Sequence, residues 1–273
     1  MAPSGFDGAR PTGEQGEHMA EQTTVEPTPS RGKRIFDEIR GLVVTGGLML
    51  FAGTAIGQPF IVPSGSMEPT LLVGDEIAAA KYAYGYGPYS APVGVIPIKG
   101  RLLDHPPERG DIVVFALPRD PSETFVKRLI GLPGDRVQMR HGELFINGEQ
   151  VARRRVGSTT VALGGINTPA TKYVETLPNG RSHEIITVAD GPLDDTPEFK
   201  VPAGSYFMMG DNRDNSLDSR VSPEEGGVGF VPADNLIGRV DRVLFSITPA
   251  ASWRDILADP GELRLSRLFH AVH

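Results

Sequence analysis

Thr124-Phe125-Val126-Lys127-Arg128-Leu129-Ile130-Gly131-Leu132-Pro133-Gly134-Asp135 is an apolar run with two cations at its centre and a turn at its end. Successive side chains of a strand point to opposite faces, so Phe125, Lys127 and Leu129 share one face while Val126 and Arg128 take the other. Leu132-Pro133-Gly134-Asp135 then reverses the chain. Similar short apolar runs bounded by turn residues recur on both sides: GDEIAAAK, GDIVVFALP, GELFINGE, GSYFMMGDN and NLIGRVDRVLFSI. These read as strands. Asn147-Gly148 between two of them is a type I′ hairpin signal, which makes the pairing antiparallel. Composition agrees, since Gly (33) and Pro (24) in 273 residues amount to about a fifth of the chain against roughly an eighth in average usage. The expected fold is mainly β, with an antiparallel sheet as its core.

Outside these runs the character of the chain changes. Residues 1–35 are mostly polar, rich in Pro, Gly, Ser, Thr, Glu and Gln at their start, and are expected to be a disordered tail. Residues 36–62 follow as a transmembrane anchor, because GLVVTGGLMLFAGTAIGQPFIV (41–62) carries no charge and about 20 helical residues span the ~30 Å hydrocarbon layer. A buried core helix is the competing reading of that run. Arg31, Lys33, Arg34 and Arg40 precede it and no Lys or Arg follows before Lys81, so the positive-inside rule leaves the tail cytoplasmic and the rest outside. A cleavable leader fits less well, since a long polar tail comes first. The β core is expected over 63–151 and 202–273. Between its halves, 152–201 turns polar and irregular and reads as an inserted, loop-rich subdomain without chemistry of its own.

Several function classes drop out. A net charge of -7 leaves no basic stripe for nucleic acid. Cys is absent, which removes disulfides, thiolate catalysis and Cys-based zinc sites. His18, His105, His141, His183, His270 and His273 are scattered through tails and turns, in no recognisable triad context. H-E-x-x-H, G-x-S-x-G and Gly-rich phosphate loops do not occur, and no metal or cofactor is expected.

What remains is serine chemistry with another base. Pro63-Ser64-Gly65-Ser66-Met67-Glu68-Pro69 has a bent backbone fixed by its prolines, with Gly65 admitting a second chain and two small hydroxyls aimed at one point. An ordinary loop could look the same. Lys127 lies on an apolar face; a surface strand lysine is the usual alternative, but burial would lower its pKa from ~10.4 toward neutrality and let the amine accept a proton. Gly210-Asp211-Asn212-Arg213-Asp214-Asn215-Ser216-Leu217-Asp218-Ser219-Arg220 is dense in short polar side chains. A calcium loop fails there, because Arg213 replaces a ligand, Ser216 stands where Gly is needed and no Glu closes it. A hydrogen-bonded loop pinned by its carboxylates and Arg220, with Ser216 approaching the lysine, fits better.

PSGSMEPTL, KRLIGLPGD and GDNRDNSLDSR, in this order behind an apolar span, resemble the bacterial type I signal peptidase (leader peptidase) family. The likeness covers about 58–80, 108–148 and 204–246, with GELRLSRL near the C-terminus also similar. It implies a catalytic domain on the signal-peptidase-like β fold, with Ser66 as nucleophile and Lys127 as general base. The Ser66 N–H and the Ser64 hydroxyl would form the oxyanion hole, Ser216 would orient Lys127, and Asp218 with Arg220 would brace the loop. Phe60, Val62, Pro63, Met67, Leu71, Phe125 and Val126 match positions lining shallow apolar substrate pockets. The implied activity is removal of signal peptides from exported preproteins after Ala-x-Ala, at the outer face of the bacterial cytoplasmic membrane. One difference is the single apolar span, where some relatives carry two. A self-cleaving repressor with a Ser-Lys site would need a DNA-binding head in place of the anchor. A membrane-tethered inactive binding module of the same fold is the remaining alternative, opposed by the presence of both Ser66 and Lys127.

Overall fold

A computed structural model describes residues 31–55, 57–90, 100–188, 191–248 and 260–272. The expected disordered stretch lies outside these residues except for its last five, which are helical. The helix α1 runs Arg31–Ala55. It carries Leu42, Val43, Val44, Leu48 and Met49 exposed. Among the described residues no helix is long and apolar enough to cross a membrane. The sequence expectation of one apolar segment to Val62 therefore needs correcting at its end: Gln58–Ile61 is a strand, paired with residues 76–79. The described residues divide into two compact units at Thr45 and Gly46.

The second unit is antiparallel β, as expected. Its strands are β1 (Gln58–Ile61), β2 (Asp75–Ala80), β3 (Ile112–Leu117), β4 (Asp120–Gly131), β5 (Arg136–Arg140), β6 (Glu143–Ile146) and β7 (Glu149–Gln150), followed by β8 (Ala152–Leu163), β9 (Ile166–Thr176), β10 (Ser182–Thr187), β11 (Phe199–Lys200), β12 (Ser205–Met209), β13 (Val231–Pro232) and β14 (Leu236–Ser246). The main sheet has seven strands in the order β1-β2-β14-β3-β4-β12-β13. β3 is central and buried on both faces, which is why IVVFAL is apolar throughout instead of alternating. Ile112, Val114 and Ala116 enter one core cluster with Val62, Met67, Leu71 and Ile77. Val113, Phe115 and Leu117 enter another with Leu129 and Met208. On β4, Phe125 packs against the second cluster and Val126 against the first, the facing read from the sequence.

A four-stranded sheet, β11-β5-β6-β7, closes over Ile130, Phe207 and Met209 of the main sheet. Its hairpin β6–β7 turns at Asn147 (φ 55) and Gly148 (φ 83). Both central residues have positive φ, as a type I′ turn requires. Residues 152–201 are not loop-rich. They build a three-stranded sheet, β10-β9-β8, around a long ribbon paired from Ala152↔Thr176 to Leu163↔Ile166. Most ribbon side chains are exposed or half-exposed on both faces, so the sequence carries no alternation of apolar and polar residues there.

Candidate active site

The two serines leave β1 through a short 3-10 turn at Gly65–Met67. Ser66 is buried and Ser64 exposed. Their hydroxyl oxygens lie 3.4 Å apart. The turn is held from the far end of the chain: the Asn212 backbone N–H donates to the Ser66 carbonyl at 3.1 Å, and Asn212 Nδ2 to the Gly65 carbonyl at 3.2 Å. Any side chain at Gly210 would collide with Ser216 Oγ and the Ser66 carbonyl, so only glycine lets the 210–220 loop come this close.

Lys127 extends from β4 to this turn, with Nζ 2.6 Å from Ser66 Oγ and 5.5 Å from the centre of the Phe125 ring. The side chain is 4% exposed. Burial pushes its pKa down to about 8, against the fields of Asp218 and Asp211, which favour the charged form; Arg220 adds to the lowering. The reach suits a general base, which must stand within about 2.6–3.2 Å of the proton it takes.

The 210–220 loop is braced as expected. Asp218 accepts from Arg220 Nε and Nη2, both at 2.9 Å, and from the Gly210 N–H at 2.9 Å. Arg220 Nη2 also donates to the Arg213 carbonyl at 2.6 Å. Ser216 departs from expectation. It lines the cleft beside Lys127, but among the described residues its buried hydroxyl has no hydrogen-bond partner, so it does not orient the amine by a hydrogen bond here.

An open cleft of about 560 Å³ lies over the pair, lined by Ser64, Ser66, Phe125 and Lys127, and by Pro192, Leu193, Leu217 and Val221 with Asp214, Asn215 and Ser216. Of the seven expected lining residues only Phe125 borders it. Val62, Met67 and Leu71 are at most 1% exposed and belong to the core. Phe60 and Val126 pack on that same cluster, and Pro63 is exposed but not on this cleft. The correction has a simple cause: the short connection from Val62 through Leu71 must cover one face of the main sheet, and its apolar side chains do that first. Pro192 and Leu193 come from the stretch expected to carry no chemistry. Their segment is fixed to the β5–β6 corner, where the Gly142 N–H donates to the Asp194 carbonyl and the His141 N–H to Asp195 Oδ1, both at 2.9 Å.

Sequence reading also missed a buried ionic network behind the site. Arg128, next to Lys127 and on the opposite face, donates to Asp211 through Nε (2.8 Å) and Nη2 (2.7 Å) and to the Gly110 carbonyl (2.7 Å). Thr70 Oγ1 donates to the same carboxylate at 2.5 Å. Burial opposes ionisation of Asp211, yet Arg128 and these hydrogen bonds hold its carboxyl below the usual range. Glu175 of β9 pairs with Arg213, with Nη1 3.1 Å from Oε1. His183 of β10 is neither in a tail nor in a turn. Its Nε2 lies 3.6 Å from Glu175 and 3.9 Å from Asp211; burial, with Arg128 beside it, lowers its pKa to about 4. The available signal was Arg128 inside an apolar run, because a cation on a strand buried on both faces needs an acid.

A β-sheet protein that holds a seryl oxygen against a buried amine, in an open cleft, falls in the class of serine hydrolases. The chain belongs to the signal peptidase family: the family model described as signal peptidase, peptidase S26, matches residues 35–245. A signal peptidase I of Rickettsia typhi is 44% identical over 200 residues, covering 70% of this chain and 73% of that protein. Its counterpart in Rickettsia prowazekii is 43% identical over the same length, covering 70% and 73%. A crystal structure of a signal peptidase I from Enterococcus faecalis V583 aligns at 26% identity and a TM-score of 0.28, covering 50% of this chain and 97% of that one.

Proposed function

We propose that this chain is a membrane-anchored serine endopeptidase that removes signal peptides from exported preproteins, cutting after small residues of the Ala-x-Ala type. The observation that carries the reading is the 2.6 Å approach of Lys127 Nζ to Ser66 Oγ inside a site that lowers the amine's pKa. Neutral Lys127 takes the Ser66 proton as Oγ attacks the scissile carbonyl carbon. The carbonyl oxygen becomes an oxyanion, held by the Ser66 N–H and the Ser64 hydroxyl. Protonated Lys127 then gives its proton to the leaving amine, the C–N bond breaks, and the signal peptide remains as an ester on Ser66. Water deprotonated by Lys127 hydrolyses that ester and restores the enzyme.

An extended substrate presents alternate side chains to one wall, so the residues one and three before the cut are read together and the middle one faces solvent. The apolar side chains on the cleft, Phe125, Pro192, Leu193, Leu217 and Val221, favour small apolar residues at those two positions. The inactive-module alternative finds no support, since the nucleophile and base lie within hydrogen-bonding distance.

For location, we infer a single anchor in α1, the N-terminus in the cytoplasm and the catalytic domain on the periplasmic face of the bacterial inner membrane, in contact with lipid. Support comes from Arg31, Lys33, Arg34 and Arg40 ahead of the uncharged run and from the exposed Leu42, Val43, Val44, Leu48 and Met49. Purified wild type should cleave a preprotein bearing Ala-x-Ala in detergent, and Ser66→Ala should not. Equal cleavage by both would end the reading. Protease added to spheroplasts should attack the region after Ser64; protection of that region would invert the topology.

A further inference from the structure

The inserted sheet reaches the catalytic loop directly. The Ile186 N–H at the end of β10 donates to the Asp211 carbonyl at 2.9 Å, and the Arg213 N–H returns to the Ile186 carbonyl at 2.9 Å. This is a parallel bridge of Ile186 to Asn212, and Asn212 is the residue whose N–H holds the Ser66 carbonyl. The side chains run in parallel with the backbone. Arg213 spends both terminal nitrogens on Glu175, and among the described residues its buried Nε has no partner. Asp211 and Asp218 also act on this guanidinium, as does Asp214. Asp211 and Asp218 already have arginines of their own, Arg128 and Arg220.

We propose that Glu175, on the insert strand β9, is a positioning residue of the active site: by fixing Arg213 it keeps that cation off Asp211 and Asp218. The two carboxylates then retain their own arginines and a constant field at Lys127. The inference rests on the Ser66–Lys127 reading above. It gives the three-stranded insert a role in catalysis without contact with substrate.

The groups facing Lys127 and this network set the sign of the test. From the catalytic loop they are Asp211, Asp214, Asp218, Arg213 and Arg220; from β4, Arg128; from the insert, Glu175 and His183; from the nucleophile's segment, Ser66 and Thr70. Asp211 and Asp218 favour charged Lys127. Without Glu175, the buried Arg213 turns to those two carboxylates and weakens their field at the amine. The lysine then loses its proton more readily.

The test is the pH dependence of kcat/KM on a preprotein in detergent, for the full chain. Wild type should rise with pH through the Lys127 ionisation. In Glu175→Gln this acid limb should move down by about half a pH unit, with kcat on the plateau several-fold lower and KM unchanged. Glu175→Asp, which keeps the charge, should fall between the two. The double variant Glu175→Gln/Arg213→Met, which removes the cation as well, should bring the limb back toward the wild-type position. Thermal unfolding identifies which variants are folded; if Glu175→Gln is not, the Asp and double variants carry the test. A folded Glu175→Gln with its limb unmoved or moved upward, or an unshifted Glu175→Asp where Glu175→Gln cannot be measured, overturns the role of Glu175. Absence of any acid limb in wild type, or cleavage by Lys127→Ala, instead overturns the Ser66–Lys127 reading.

Discussion

Lys127 and Arg128 are neighbours on one strand, both cations and both almost wholly buried, and their surroundings could hardly differ more. Arg128 faces a carboxylate that meets it with two oxygens and a backbone carbonyl that takes a third bond. Lys127 meets a serine hydroxyl and an aromatic ring, and among the described residues no carboxylate forms an ion pair with it. Burying an ion costs several kcal/mol unless it is paired. A guanidinium cannot escape that cost by losing its proton, whereas an amine can. The protein therefore neutralises the cation that must stay charged and strands the one that must not.

The most severe break of this contrast is to exchange the two chemistries. Lys127→Arg puts a permanent charge where a base is needed, and turnover of a purified preprotein should fall by at least about three to four orders of magnitude. Lys127→Ala should be as inactive while the domain still unfolds cooperatively. On the other face, Arg128→Met leaves Asp211 buried and unpaired. The expected loss is about 3–5 kcal/mol of stability, measured by chemical denaturation, with activity lost as the fold is lost. Ser64→Ala tests the nucleophile side alone, since one of the two proposed oxyanion donors disappears; kcat should drop by about two to three orders of magnitude at unchanged thermal stability.

Acidity sharpens the same contrast. In the proposed mechanism only neutral Lys127 is active, so kcat/KM should climb tenfold per pH unit below the amine's pKa and level off above about 8. A flat profile from pH 6 to 9 would remove Lys127 from the base role. The smallest effect belongs to the cleft wall. Leu193→Ala should change kcat/KM by no more than about 200-fold, because one small apolar contact is worth roughly 1–3 kcal/mol, and the ranking of substrates by the residues near the cut should shift with it. If Leu193→Ala leaves that ranking untouched, Leu193 does not contact substrate.

The parts of the molecule that the sequence revealed share a physical property: one local rule decides each of them. Alternation fixed the facing of Phe125, Lys127 and Val126, and Asn147-Gly148 fixed a turn through its positive φ values. Short-range carboxylate–guanidinium geometry made Asp218–Arg220 readable. Where two distant segments compete for the same side chain, the reading failed. Val62, Met67 and Leu71 are apolar for the sake of the sheet they cover, a demand invisible in a motif that looks like pocket lining. Glu175 and His183 lie in a polar ribbon, and nothing near them in the chain announces Arg213 or Asp211 as partners. The ribbon itself escaped notice because a strand wetted on both faces shows no period of two.

The order of the main sheet also bears on when the enzyme can first act. β2 and β3 are successive strands of that sheet, yet they never pair with each other, because β14 lies between them. The Ser66 turn is likewise held by Asn212, whose side chain reaches a carbonyl 147 residues back. A chain emerging from synthesis exposes its nucleophile and its amine early and lacks the scaffold that brings them together until Leu236–Ser246 has followed. Ser66, Lys127 and the 210–220 loop all precede Leu236, so a chain ending at residue 235 would carry the proposed site without the strand that joins the two halves of the sheet.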